Sequence, residues 1–178
     1  MSLKKAVKVT KEIAQQSNST VRVWYDSDMK KLTEDQAFAW ILESYQKNKN
    51  NGAGLFLGTD SHLHGKNFRF VSGVCVYTPG KGGNFVMCYE YENRIQYKGN
   101  QKGRMFKEVE RSIELANYLT ERLKITPVIH IDASPENAGQ FTSSFSEQLK
   151  GYAVGSGYES FLKPEAWVAS ALADRFTK

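Results

Sequence analysis

The sequence predicts an α/β domain on one mixed sheet: three antiparallel strands, then helix, strand, helix, strand and helix, with helices on both faces and a helical extension at the N-terminus. Three observations predict it. The 178 residues have ordinary globular composition, 40% hydrophobic and 24% charged, and a chain of this length buries roughly 70% of the surface it exposes when unfolded. From residue 55 three strand-like runs follow one another closely. After residue 100 helical and strand periodicities alternate, the order that builds parallel strands through right-handed crossovers.

Element by element, residues 1–16 show a Lys-punctuated helical pattern, and residues 21–26 a short strand. Thr33 with Gln36 forms a capping box, behind which Ala37, Trp40, Ile41 and Tyr45 recur at helical spacing. That apolar face must pack on something, and the sheet is the expected surface. Asn48-Lys49-Asn50-Asn51-Gly52 ends the helix. It divides the chain into a helical extension, 1–50, packed on a main domain, 51–178.

Strands are expected at 55–60, 67–77 and 84–97. Pro79-Gly80-Lys81-Gly82-Gly83 separates the last two and reads as a hairpin turn. A phosphate-binding loop would need a helix after it and a Gly-Lys-Ser/Thr ending, and a strand follows instead. Phe106, Val109, Ile113, Ala116 and Leu123 define the apolar face of a helix over 103–124. Residues 127–132 form a short buried strand, 141–151 a helix and 158–162 a last strand. Pro164 suits the first position of a closing helix, where its missing N–H costs nothing. Ala166, Ala169, Ser170 and Ala173 give that helix a stripe of small residues for close packing.

Cys75 and Cys88 fall inside expected strands and read as buried free thiols of a reducing, cytoplasmic compartment. No apolar run approaches the roughly 18 residues of a membrane span, and residues 1–16 lack the apolar core of a signal peptide. The net charge of +5 is unevenly placed, since Arg94, Lys98, Lys102, Arg104 and Lys107 follow one another with no acid between them. Such a stretch faces phosphates or is simply a solvated surface.

Asp60 and Asp132 each close an expected apolar strand, where an ionised carboxylate needs a positive partner. Each alone also fits a turn cap. On neighbouring strands the two would crowd like charges at one sheet edge, which Mg²⁺ or Mn²⁺ relieves. Oxygen donors suit those hard ions, and the absence of a Cys-x-x-Cys motif argues against zinc. His62 and His64 follow Asp60 on alternate positions, as polar turn residues, as a pair of metal ligands or as groups for proton transfer. His130 reads as a hydrogen-bonded core residue.

Gly58-Thr59-Asp60-Ser61 after a strand resembles the opening motif of ribonuclease H-like proteins. Ile129-His130-Ile131-Asp132, the run from Lys163 and Pro164 to Ser170, and Ala173-Asp174-Arg175 further resemble the YkuK-type branch, a bacterial and phage group. The similarity spans residues 24–178. It implies a four-acid site for two metal ions, carried here by Asp60, Glu108, Asp132 and Glu165. Helical periodicity alone does not choose Glu108 over Glu110, and the resemblance does. Glu165 and Asp174 are nine residues apart, about 13.5 Å along a helix, so they cannot share one ion pair. The start of the helix favours Glu165, with Asp174 as the alternative. Superfamily members usually carry Asp at this fourth position, where the present chain has Glu. The implied activity is metal-dependent hydrolysis of RNA or DNA, with Arg94, Lys98, Lys102, Arg104, Lys107 and Lys163 on the nucleic-acid backbone. The competing expectation is a nucleic-acid-binding module of the same fold with weak or no turnover.

Overall fold

The computed structural model describes residues 22–135 and 138–169. The basic pattern at 1–16, and Ser170, Ala173 and Asp174, lie outside the described residues.

The chain opens with β1 (Val23–Asp26) and β2 (Lys31–Leu32), followed by helix α1 (Glu34–Asn48). Thr33 caps α1 as expected: its side chain accepts the Gln36 N–H, and the Gln36 side chain accepts the Thr33 N–H in return. Three long strands come next, β3 (Gly54–His64), β4 (Asn67–Thr78) and β5 (Gly82–Asn93). They are paired antiparallel throughout, with Gly80 and Gly82 at φ +74 and +83 in the hairpin turn, a region open to glycine. Helix α2 (Gln101–Leu123), β6 (Val128–His130), helix α3 (Ser146–Gly155) and β7 (Ser160–Phe161) complete the described order.

Among the described residues, all seven strands form one sheet in the order β2-β1-β5-β4-β3-β6-β7. The pairs β3/β6 and β6/β7 are parallel and the others antiparallel. The α/β prediction therefore holds, with a mixed sheet and the expected element order. The N-terminal part contributes more than a packed helix, because β1 pairs with β5 and carries the sheet two strands further.

One apolar core lies between the sheet and α1, α2 and α3. It contains Trp24, Ile41, Leu57, Val74, Val86, Leu119, Ile129 and Leu149, each 1% exposed or less. Fully burying side chains of this size contributes roughly 1.5–3 kcal/mol apiece. Strand alternation sends Val71, Cys75 and Met87 to the opposite face, where Cys75 packs with Val168. The chain enters helical conformation there at Val168. Both cysteines are free and buried, as predicted.

Four expectations need correction. The strand predicted to run to residue 97 ends at Asn93, whose side chain accepts the Ile95 N–H and starts a 3-10 turn over Arg94–Tyr97. The helix expected over 141–151 splits into a 3-10 turn at Phe141–Ser144 and α3, which starts five residues late. Pro164 does not open a helix but sits in a turn, because the N–H groups of Trp167 and Val168 are both taken by Nδ1 of His130 at 3.3 Å. Asp60 does not close its strand: β3 continues through His64 because β4 pairs with it over its whole length.

Candidate functional site

The position of Asp60 follows from a mismatch between the two neighbours of β3. Pairing with β4 runs to His64, whereas pairing with β6 ends at Leu57 opposite Ile129. Asp60 and Asp132 each lie three residues beyond that last pair, so the same parallel register carries the two carboxyls to neighbouring points where the strands separate. Strands in register run about 4.8 Å apart. Gly58 makes the approach possible, since a Cβ there would stand 2.8 Å from Ala169 Cβ, Ala169 N and His130 O. The small-residue stripe predicted for the closing segment is thus used at Ala166 and Ala169, 4% and 1% exposed.

Helix α2 supplies the third acid. Glu108 is buried, and its Oε1 accepts from Ser61 Oγ at 2.6 Å and from Arg104 Nη1 at 2.8 Å. Arg104 also donates to Ser61 O at 2.8 Å and to Ser61 Oγ at 2.5 Å, and its guanidinium lies over the Phe68 ring at 5.1 Å. One turn further along α2, Ser112 Oγ donates to Thr59 Oγ1 at 2.9 Å, and Thr59 and Ser72 share a hydrogen bond at 2.8 Å. This polar ladder between helix and sheet fixes the height of Glu108 against β3. Burial pushes the Glu108 carboxyl up to about 8, and the charges of Asp60 and Asp132 add to that, against the opposing pull of Arg104 and Ser61. Asp60 is raised as well, first by burial, with Asp132 adding and His62, the Ser61 N–H and Arg104 opposing. The three acids thus sit close enough to repel one another.

Asp132 forms an ion pair with Lys163, which the Lys163 N–H to Ala133 O bond of 3.1 Å brings alongside. His62 Nδ1 lies 3.3 Å from Asp60 Oδ2. Glu165 is exposed in the turn before Val168, and it is the least tied of the four expected acids. Among the described residues no three Asp, Glu, His or Cys side chains close around one point at metal-binding distance. The donor chemistry still fits a hard divalent cation: all donors are oxygens, and the buried Glu108 carboxyl is held up at about 8 by burial first and then by the charges of Asp60 and Asp132.

His130 is the core residue it was expected to be. It is 2% exposed, ringed by Phe56, Trp167 and Phe161, and burial pulls its imidazole down to about 4. The neutral ring can therefore accept the two N–H bonds that anchor the closing segment.

The basic residues separate into two groups. Arg104 and Lys163 turn onto the acids, Lys107 pairs with Glu110 at 2.6 Å, and Lys102 lies over the Phe106 and Phe145 rings and donates to Gln148. Arg94 and Lys98 are exposed around the 3-10 turn. Sequence reasoning missed Ser61 and placed Arg104 on phosphate only. The signal for its second role was the four-residue spacing from Arg104 to Glu108, which puts both on one helix face. No described helix is long and apolar enough to cross a membrane.

A profile of the Ribonuclease H-like family matches residues 36–178, well over half of the chain. No curated protein and no solved structure matches. The YkuK-type resemblance is consistent with that family.

Proposed function

Since the chain belongs to the Ribonuclease H-like family, we propose that it is a divalent-metal-dependent nuclease hydrolysing phosphodiester bonds of RNA or DNA. The observation that carries the proposal is that Asp60 and Asp132 each stand three residues beyond the last β3/β6 pair, with Glu108 held beside them by Ser61, the neighbour of Asp60. Charge of that density next to basic side chains suits a site that handles a phosphate through a cation. Asp60, Asp132 and Glu108 would hold Mg²⁺ or Mn²⁺, with Glu165 completing the set from the turn before Val168. When bound, such ions activate water for in-line attack and stabilise the leaving oxygen.

The remaining roles belong to the chain's own residues. Ser61 and the ladder through Thr59, Ser72 and Ser112 hold Glu108 in place. His62, beside Asp60, orients that carboxylate and is in position to move a proton. Arg104 and Lys163 neutralise Glu108 and Asp132 and bring positive charge to the edge where phosphate oxygens would lie. Arg94 and Lys98 extend that charge over the surface, with the salt dependence expected of backbone contacts. Lys102 and Lys107 stand further along the same base-rich segment.

The test is cleavage of RNA, DNA and hybrid duplexes with Mg²⁺ or Mn²⁺, comparing wild type with Asp60→Asn. Even outer-sphere changes at metal sites cost about 10–100-fold, so losing this carboxylate should cost at least about 100-fold. Equal cleavage by both proteins refutes the assignment. One observation favours a second reading, a binding module with weak or no turnover: Glu108 and Asp132 each already carry a basic partner. Tight, salt-dependent binding without cleavage in either metal would select it.

A further inference from the structure

The far ends of β3, β4 and β5 carry a group of side chains that, His62 apart, the acid site does not use. Register places His62, Arg69 and Tyr91 side by side across the three strands, on the sheet face that also carries Asp60. Asp60 itself is in register with Val71 and Tyr89, one step back along the same face. Tyr91 is 48% exposed although aromatic, and His64 lies beside it with ring centroids 6.0 Å apart. The Arg69 guanidinium is stacked over the Tyr89 ring at 5.2 Å. Beyond them, the Arg94 N–H donates to Lys66 O at 3.2 Å, tying the 3-10 turn to the β3–β4 turn and gathering Lys66 and Arg94 at one tip.

We infer that this row is a stacking platform for an unpaired strand of nucleic acid, leading its backbone toward Asp60. The inference deepens the proposed nuclease reading and rests on nucleic acid being what the site handles. Exposed rings offer a flat face to a base, and every base has a matching π-face, so such contacts accept any sequence. The cations around the rings, Arg69, Lys66 and Arg94, match the charge of the phosphates that accompany each base. Both features are needed, because a paired helix hides its base faces and would meet only the cations. The distance is right as well: Tyr91 lies two strands from β3, about 10 Å at a spacing of about 4.8 Å per strand. That span is within the reach of a few nucleotides of one unpaired strand. The platform therefore selects single-stranded ends, loops or gaps over intact duplex, as ribose or deoxyribose strands alike.

The experiment measures binding of the full chain by fluorescence anisotropy in EDTA, where metal-dependent cleavage is silent. The probes are labelled oligonucleotides of about twelve nucleotides: single-stranded RNA, single-stranded DNA, an abasic strand of equal length and a blunt duplex. Wild type should bind the base-bearing strands about tenfold more tightly than the abasic strand, the return expected from one or two stacked bases. Tyr91→Ala should bring that preference close to one and leave affinity for the abasic strand unchanged, while Tyr91→Phe should keep it. An unchanged preference in a Tyr91→Ala protein with wild-type circular dichroism and melting temperature overturns the platform. A preference for the duplex by wild type overturns it too. If Tyr91→Ala abolishes the preference while no strand is ever cleaved, the platform stands and the nuclease reading falls. If cleavage depends on Asp60 but the preference ignores Tyr91, the platform alone falls.

Discussion

Replacing Glu108 with Gln removes a titrating proton yet keeps an oxygen for Ser61 Oγ and Arg104 Nη1, both of which donate to Oε1. In the native protein this carboxyl stands at about 8 rather than 4.5, through burial first and then the charges of Asp60 and Asp132. Between those two values the folded protein keeps a proton that the unfolded chain has released. Stability therefore falls as pH rises from 4.5 through about 8. At about 1.4 kcal/mol per pH unit, the loss reaches about 3 kcal/mol at pH 7 and about 5 kcal/mol once pH passes the folded value. For a domain of this size each kcal/mol moves Tm by about 2–4 °C. Scanning calorimetry from pH 4.5 to pH 9 should thus show wild type losing about 10 °C or more relative to Glu108→Gln. Asp60 is raised as well, first by burial, and that burial is common to both proteins. Adding Mg²⁺ or Mn²⁺ at high pH should lift wild type more than the variant, because only wild type gains an ionised carboxylate for the cation to meet. Parallel curves for the two proteins across the whole range would refute the electrostatic argument.

Gly58→Ala places a methyl group 2.8 Å from two backbone atoms and the Ala169 side chain. Overpacking of this kind costs about 1–3 kcal/mol, so thermal unfolding should show a clear drop in Tm. Gly151→Ala, which meets nothing within 4 Å, serves as the control. The thiols of Cys75 and Cys88 are pushed up to about 12 by burial, so a thiol-specific chromogenic reagent at pH 8 should label the native protein far more slowly than the unfolded one. Rapid labelling of both before unfolding would contradict their placement in the core.

Features set by neighbours in sequence were readable from the chain. Thr33 and Gln36 form their capping box from within one turn, and the apolar spacing of Val109, Ile113 and Ala116 marks the buried side of α2. The two aspartates were visible because each follows an apolar run of the sequence, although Asp60 lies within β3, and the parallel register then brings them together. Where the reading failed, a distant partner decided the outcome. His130 takes the N–H groups of Trp167 and Val168 from 37 and 38 residues away, so the helix does not start at Pro164. Residues 94–97 look like continuing strand, yet the Asn93 side chain turns the backbone. Within the site, an Arg and a Glu four residues apart look like any exposed helix pair. Only the fold reveals that Arg104 is directed inward, because Ser61 has to arrive from β3.

The outermost strands among the described residues, β2 and β7, are only two residues long, while the central three run to eleven or twelve. Unpaired strand margins are where one polypeptide can template another into aggregates. A sheet that tapers so steeply leaves a second copy almost no length to add to, which favours a protein that stays dispersed when it is concentrated.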